Sequence, residues 1–512
     1  MEKRPKYSLI IALHLLFISQ IIITNSLCAQ KKLNNNWIFG YWYTTDPNKA
    51  QLAELRFNDT GIIEIIKQDN KPIHIRSDIA CISDKNGDLK IWSNNCSVFN
   101  SNYDTLIGDS QLKENRNRNY CDNNGGWPFN NSVIILPWPG SDDLYHMFYT
   151  DDSGSIFADE KYGLFFSYLY GAVIDFRNNS LGEITEVRKL LYNDTITVSN
   201  LTACRHSNGK DWWICTPMDA KPCYALHTLS DSGYSFHHKQ CIGTESFGLD
   251  DAFGQACFSP NGKYYARYSG TKGIHFFKFN NSTGILSDQL IIPEAIQPPY
   301  SLEGGICFSP NSRFLYQLQE GKYVFQYDVT ESNIIASRVL IDTLDLTKSG
   351  QERITNFQHA ALGPDGRIYI SGNGSNTYLN VINRPNCKGK DCELVQQAIK
   401  IPVLDEGGVP NVPHFIDWKE VYPDCIISNV KYLPEFLQGV SISIKNHIVQ
   451  IKINNEDLDS QFALLTIEGK ILEMDKMNNN VKSIELNNYL SGIFLLRISK
   501  NGFQKTFKIN NY

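Results

Sequence analysis

The sequence predicts an all-β protein: a β-propeller followed by a small Ig-like β-sandwich. Three observations carry that reading. The middle of the chain repeats itself, its residues favour strands and turns, and after Cys425 the repeat gives way to short strands at tighter spacing.

The repeat is clearest in three segments: residues 257–265 (CFSPNGKYY), 307–315 (CFSPNSRFL) and 361–369 (ALGPDGRIY), spaced 50 and 54 residues apart. Each is an apolar strand, a Pro-Asn-Gly type turn and a second, aromatic strand. Proline sets φ at the first turn position, and Asn or Gly tolerates the positive φ that follows, which makes each segment a hairpin. Looser copies lie at 79–92, 133–149 and 202–214, and a further alternating strand with a polar turn follows most hairpins, as at 273–280, 322–329 and 378–383. About four strands per period of about 50 residues is the pattern of a propeller blade. A repeat of helix pairs would need a 3.6-residue period, which is missing. Six hairpins are visible, and the strands at 37–43 and 412–418 lack a local partner. Pairing those two in one shared blade would close the ring without an open edge. The count is then seven blades, with six or eight left open.

Composition agrees. The chain has 512 residues, is 12% aromatic, and is rich in Ile, Tyr, Phe and Asn, which suits strands and turns. A net charge of −6, a pI near 6.0 and the lack of a Lys/Arg block argue against a nucleic-acid partner.

The first residues read as a secretory leader. Lys3, Arg4 and Lys6 precede an apolar run over 9–23, and Ala29-Gln30 is a plausible cleavage point. The run is short for a bilayer span of about 20 residues. No later run is long enough, so the expectation after cleavage is a chain without a transmembrane segment. Thirteen cysteines, Cys28 among the leader residues, leave twelve for an oxidising compartment. Cys387 and Cys392 bracket a short loop and are the first candidate pair. Cys204 and Cys215 flank a hairpin and are a second, although several cysteines are expected simply as small buried apolar groups.

Beyond Cys425, short strands are expected at 441–444, 448–453, 462–467, 483–486, 493–498 and 504–509, with turns at Glu468-Gly469-Lys470 and Lys500-Asn501-Gly502. The division expected is a signal peptide over 1–29, a propeller over 30–425, a linker over 426–434 and a small sandwich over 435–512.

The last segment resembles the C-terminal sorting domains of proteins carried by the type IX secretion system. The residues that match are Leu465 to Lys470 with the Gly469-Lys470 turn, Ile484-Glu485-Leu486, the run Leu490-Ser491-Gly492-Ile493-Phe494-Leu495-Leu496-Arg497-Ile498, then Gly502 and the basic strand carrying Lys505 and Lys508. At its front the family has a Tyr-Pro-Asn-Pro-like turn where this chain has Leu433-Pro434-Glu435-Phe436. The preceding part is similar to the uncharacterised propellers that accompany such domains, in Asn36-Trp37-Ile38-Phe39-Gly40, 80–92, 134–141, 366–370 and Gly408-Val409-Pro410-Asn411-Val412-Pro413. The resemblance implies export by the type IX machinery to the medium or the outer-membrane surface of a Gram-negative bacterium. It implies no chemistry, and no cofactor.

The residues themselves offer few catalytic patterns. Asp84, Asn86 and Asp88 alternate like calcium ligands, but Leu89 and Asn95 stand where such a loop needs Gly and an acid, which leaves a plain turn. His206, Asp211 and His237-His238 lack further ligands for a metal, and none is expected. No Gly-x-Ser-x-Gly elbow, HExxH helix or phosphate loop is present. Trp42, Trp127, Trp138 and Trp212 sit in or beside expected loops, where flat rings could stack on a sugar or peptide, against a core role. His359, His414 and Glu406 fall near strand starts and could line the funnel of the ring, against a role as internal hydrogen-bonded groups. The reading is a binding or scaffold module for an unidentified extracellular glycan or protein. The alternative is an extracellular hydrolase or lyase acting on polysaccharide or peptide at the funnel, and a third reading is a structural part of the cell-surface or gliding machinery.

Overall fold

A computed structural model describes residues 32–41, 52–57, 63–68, 71, 73–113, 121–122, 125–151, 166–219, 221–244, 254–296, 304–348, 354–406, 408–415, 425, 441–445, 447–453, 460–466, 470–489, 492–500 and 503–511. The leader, Trp42, the whole expected linker over 426–434, Gly469 and Gly502 lie outside them. No helix among the described residues is long and apolar enough to cross a membrane. The chain divides into two compact units, Met1–Cys425 and Ile426–Tyr512.

The described residues of the first unit form a propeller of seven antiparallel sheets. Blade 1 holds Asn36–Phe39, Leu52–Phe57 and Ile63–Gln68; blade 2 holds Ala80–Ser83, Leu89–Ser93 and Val98–Asn100. Four strands make each later blade, and they begin with Val133–Pro137, Thr202–Arg205, Ala256–Phe258, Gly304–Phe308 and His359–Leu362 for blades 3 to 7. These first strands are the innermost, and around much of the ring each lies beside the first strand of the next blade.

The repeated turns work as the residues require. In blade 5 the Ser259 hydroxyl accepts the Tyr264 N–H at 2.9 Å and Asn261 Oδ1 accepts the Lys263 N–H at 3.0 Å; in blade 6 Ser309 and Asn311 do the same for Phe314 and Arg313. Gly262 and Gly366 take the left-handed position, with φ of 65° and 79°, and in the middle repeat Ser312 is held there at 62°. At the looser copy in blade 2, Asp84 Oδ1 accepts the N–H groups of Asn86 and Asp88, an ordinary Asx-type closure that spends the carboxylate on the backbone.

Closure of the ring differs from the expectation of a shared blade. Blade 1 has its own strands, and blade 7 is complete with Ile368–Ser371, Asn376–Ile382 and Leu394–Asp405. Residues 412–415 are not a strand, and 416–418 lie outside the described residues. Side chains close the seam instead. Trp37, Phe57 and Tyr369 meet edge to face, with centroids 5.1–5.4 Å apart, inside a cluster that joins Leu55 and Phe39 to Val381 and Ile401. Apolar clusters of the same kind fill the other seams, for example Tyr224, Tyr265 and Phe277 between blades 4 and 5.

Cysteine pairing also departs from expectation. Cys387 is bonded to Cys425, and the other bridges are Cys96–Cys121 and Cys223–Cys241. The 387–392 loop is instead closed by its backbone, where Arg384 N–H donates to Cys392 O at 2.9 Å; the buried Cys392 side chain packs in the cluster of blades 6 and 7. Cys204 lies opposite Trp213, and Cys215 opposite Thr202, so this pair is offset in register and stays unbonded. Among the described residues the six free cysteines are wholly or partly buried, as small apolar groups are.

Between blades 2 and 3 the interior holds charge. Lys113 Nζ lies 3.4 Å from Asp151 Oδ1, donates to Asn95 Oδ1 at 3.0 Å and to Thr150 O at 3.3 Å, and sits 4.2 Å over the Trp127 ring. Arg188 Nη2 approaches the other Asp151 oxygen at 3.4 Å.

The second unit is a two-sheet sandwich. One sheet pairs Ser441–Lys445, Ile448–Lys452 and Val481–Glu485; the other runs Ile471–Lys476, Gln461–Thr466, Gly492–Lys500, Phe503–Asn511. Its core is built from alternate residues such as Val449, Ile451, Phe462, Leu464, Leu496 and Ile498. The strand Ile471–Lys476 is additional to those expected.

Removing the Lys113 ammonium leaves the Asp151 carboxylate buried with less compensation, which typically costs about 3–5 kcal/mol. Lys113→Met is therefore expected to lower propeller stability by that order in denaturant titration, whereas Lys85→Met, whose pair with Asp142 is solvent-exposed, is expected to change it by less than about 1 kcal/mol.

Candidate functional site: the axial channel

The axis is where a propeller brings its blades together, and here the chain itself fills it. After blade 7, residues 408–415 (GVPNVPHF) cross the ring. Pro410 and Pro413 have no N–H to offer, so this strap cannot join a β-ladder as an added strand. Its anchors are one backbone N–H and several side chains. The Asn411 N–H donates to Ile79 O at 2.7 Å, and the Asn411 amide donates to Val133 O at 2.9 Å and Leu201 O at 2.8 Å. Those carbonyls belong to blades 2, 3 and 4, each at or just before the start of an innermost strand. Further along, His414 Nε2 is 3.0 Å from Phe258 O at the other end of blade 5's innermost strand, and the Phe415 ring meets Trp212 edge to face at 5.5 Å. The strap thus follows the innermost strands from their starts towards their ends.

Amides lace the channel where those strands begin. The Ala360 N–H donates to Gln255 Oε1 at 2.9 Å and Gln255 Nε2 donates back to Ala360 O at 3.3 Å, which joins blade 5 to blade 7. Gln255 can reach past blade 6 because residue 305 is glycine; a Cβ there would collide with Gln255 Oε1. Asn130 Nδ2 lies 2.7 Å from Nε2 and 3.0 Å from Nδ1 of His359.

What remains is a cavity of about 40 Å³, lined by Asn131, Thr202, Gln255, Cys257, Cys307 and His414 among others. At about 10–15 Å³ per ordered water it has room for a few waters and no more. Burial pushes the Cys257 and Cys307 thiols well up, the opposite of what a nucleophilic thiolate needs. Burial also lowers His414 to about 4, against the raising effect of its bond to Phe258 O.

The other residues singled out in the sequence are dispersed. Trp127 and Trp212 are 0% exposed, so neither can stack on a ligand: the first lies under Lys113, the second under the Arg205 guanidinium 3.8 Å above its ring. Trp138 is partly buried, and its Nε1 donates to Asp231 O at 3.1 Å, tying blade 3 to blade 4. His359 is 5% exposed and serves the lacing rather than an open funnel. Glu406 acts here through its backbone, with N–H to Gly40 O at 3.1 Å and O accepting from Gly374 N–H at 3.0 Å. In the second unit, the Thr466 N–H donates to Lys470 O at 2.9 Å across the turn, Gly492 begins its strand, and Phe494 is buried. Lys505 and Lys508 stand on the final strand, opposite Ile498 and Leu495.

A carboxyl group with a raised pKa does occur away from the axis. Burial lifts Glu294, at the blade 5–6 seam, to about 7 even though Gln317 Nε2 donates to it at 3.2 Å. It is 4% exposed, too enclosed for a polymer chain to reach.

No family model matches the chain, and no curated protein matches it. Solved structures that are similar include a protein from Lactobacillus plantarum, with 14% identity, 73% of this chain and 98% of that one covered, and a TM-score of 0.41. Another is the β-propeller domain of Cps50 (Swd1) from Myceliophteria thermophila, with 10% identity, coverage of 64% and 88%, and a TM-score of 0.36. A third is PorZ from Porphyromonas gingivalis, an essential bacterial surface component of the type IX secretion system, with 12% identity, coverage of 90% and 62%, and a TM-score of 0.37. Likenesses this distant leave the assignment of a propeller resting on the seven sheets themselves.

Asn411→Ala strands two buried carbonyls and is expected to cost about 1–3 kcal/mol in denaturant titration. His414 gives a pH signature. Its folded pKa of about 4 lies below the unfolded value of about 6.5, so its contribution is present above pH 6.5 and is lost as pH falls towards 4. Against a His414→Gln variant, the wild type is expected to lose stability between pH 6.5 and 4; parallel stability curves over that window would remove the burial argument.

Proposed function

We propose that the protein is an exported β-propeller that works as a binding or scaffold module, delivered by the type IX secretion machinery through residues 435–512 acting as its sorting domain. The observation that carries this reading is the second unit. The described residues among those that resemble the sorting family fall on a separately cored sandwich, and its Gly492–Lys500 strand pairs along its whole length with Phe503–Asn511, the strand that carries Lys505 and Lys508. Phe494, the aromatic of the resembling run, packs into that core beside Tyr489. A sandwich with a core of its own suits a tail that a secretion machine reads independently of its cargo.

The binding half of the proposal is supported by the axis. With the strap and the amide lacing in place, the cavity left is too small for a sugar or a peptide side chain. Ligand contacts then belong to the rim loops and blade edges, and the partner is an extracellular glycan or protein at the cell surface or in the medium.

The test is to express, in the native host, the chain ending at residue 434 beside the full chain and to follow both by fractionation. The truncated propeller is expected to accumulate folded in the periplasm, while the full chain reaches the surface or medium. Equal arrival of both forms outside the cell would sink the sorting assignment.

A further inference from the structure

The strap has the properties of a bound peptide rather than of a blade. Its hydrogen-bond acceptors come from blades 2, 3, 4 and 5, while Val409 packs into the apolar cluster at the seam of blades 7 and 1. Among the described residues the Asn411 N–H to Ile79 O bond is the one backbone-to-backbone hydrogen bond on 408–415, whereas the innermost strands of blades 4 and 6 pair along their whole length with the next strand. The rest of its hold is read through side chains: an Asn amide on two converging carbonyls, an imidazole on a third, and a ring on Trp212. A preformed groove that reads an extended, proline-containing segment by alternate side chains is how proteins recognise peptides. The two prolines also keep the free segment extended, so little order is lost on docking.

The tether fits that role. Phe415 is followed ten residues later by Cys425, which is bonded to Cys387 on blade 7. With blade 7 at one end and this bridge at the other, the strap is confined near its groove, and a confined ligand competes at an effective concentration of about millimolar.

We propose that the axial channel is a peptide-recognition site for an extended Pro-Asn-x-Pro-His-aromatic segment, in which residues 408–415 sit as a tethered and releasable ligand. The inference stands on the propeller alone and does not depend on how the protein is exported.

The experiment uses the full chain carrying Asn411→Ala and Phe415→Ala together, which weakens the resident strap while leaving the receiving carbonyls and Trp212 intact. The probe is a fluorescent peptide of sequence GVPNVPHF, with GVPAVPHF as its control. The wild type, its site filled, is expected to bind neither at up to about 100 μM. The variant, shown folded by circular dichroism, is expected to bind the first peptide in the micromolar range and the control about tenfold or more weakly, since two hydrogen bonds are lost. A folded variant that binds neither peptide, or both equally, overturns the proposal. Should the variant not fold, hydrogen exchange on the wild type decides. The Asn411 amide is expected to exchange at least about tenfold faster than the amides of Thr202–Arg205, through release of the strap alone. Exchange of the two together, only on global unfolding, overturns it.

Discussion

Everything in the propeller depends on how a ring of separate sheets is closed. Each blade can bury one face only against the next, so the seam where the last meets the first must be as well packed as the others. Here no strand is shared across that seam. Edge-to-face contacts among Trp37, Phe57 and Tyr369 seal it from the side, Val409 of the strap packs into the same cluster, and the rest of the strap ties the axis. Asn411 is the pivot of the second device, because one amide and one N–H satisfy carbonyls from three blades that otherwise converge on the channel. A polar group buried with all its partners met rigidifies a core, and the same group with partners missing is costly.

That arrangement redirects the search for function. A funnel lined by titratable groups would make the axis the place for chemistry. In this protein the axis is occupied by backbone, amides and buried thiols, and His414 and His359 are spent on internal hydrogen bonds. For a binding module of the kind proposed, recognition then belongs to surfaces outside the channel, or to the channel itself when the strap leaves. The two possibilities differ in what they ask of the protein: the first needs a rigid ring, the second a strap held by few enough bonds to open on its own.

The fold was legible because its signals are local. The three Pro-Asn-Gly type hairpins carry turn, strand and strand within nine residues each, and their spacing already sets the size of a blade. The closing device is hidden in the sequence because its signal is non-local. Residues 412–418 look like an apolar strand, and only Pro410 and Pro413 hint that they cannot pair; which carbonyls Asn411 meets depends on blades more than 200 residues away. The same limit applies to cysteine. Proximity in sequence favoured Cys387 with Cys392, while the ring brings Cys425 back to blade 7 from 38 residues on. For Trp127 and Trp212 the neighbouring residues leave a loop role and a core role both open, and tertiary packing places both inside. The Asn and Gln side chains that lace the axis gave no signal at all, since single amides in a polar, Asn-rich sequence are indistinguishable from surface residues.

An electron-density map of the propeller at a resolution that shows side chains tests the central claim most directly. The account predicts continuous density for residues 408–415 along the axis, with the Asn411 amide against the carbonyls of Val133 and Leu201. A channel filled by water, with the chain after blade 7 passing outside the ring, would contradict it.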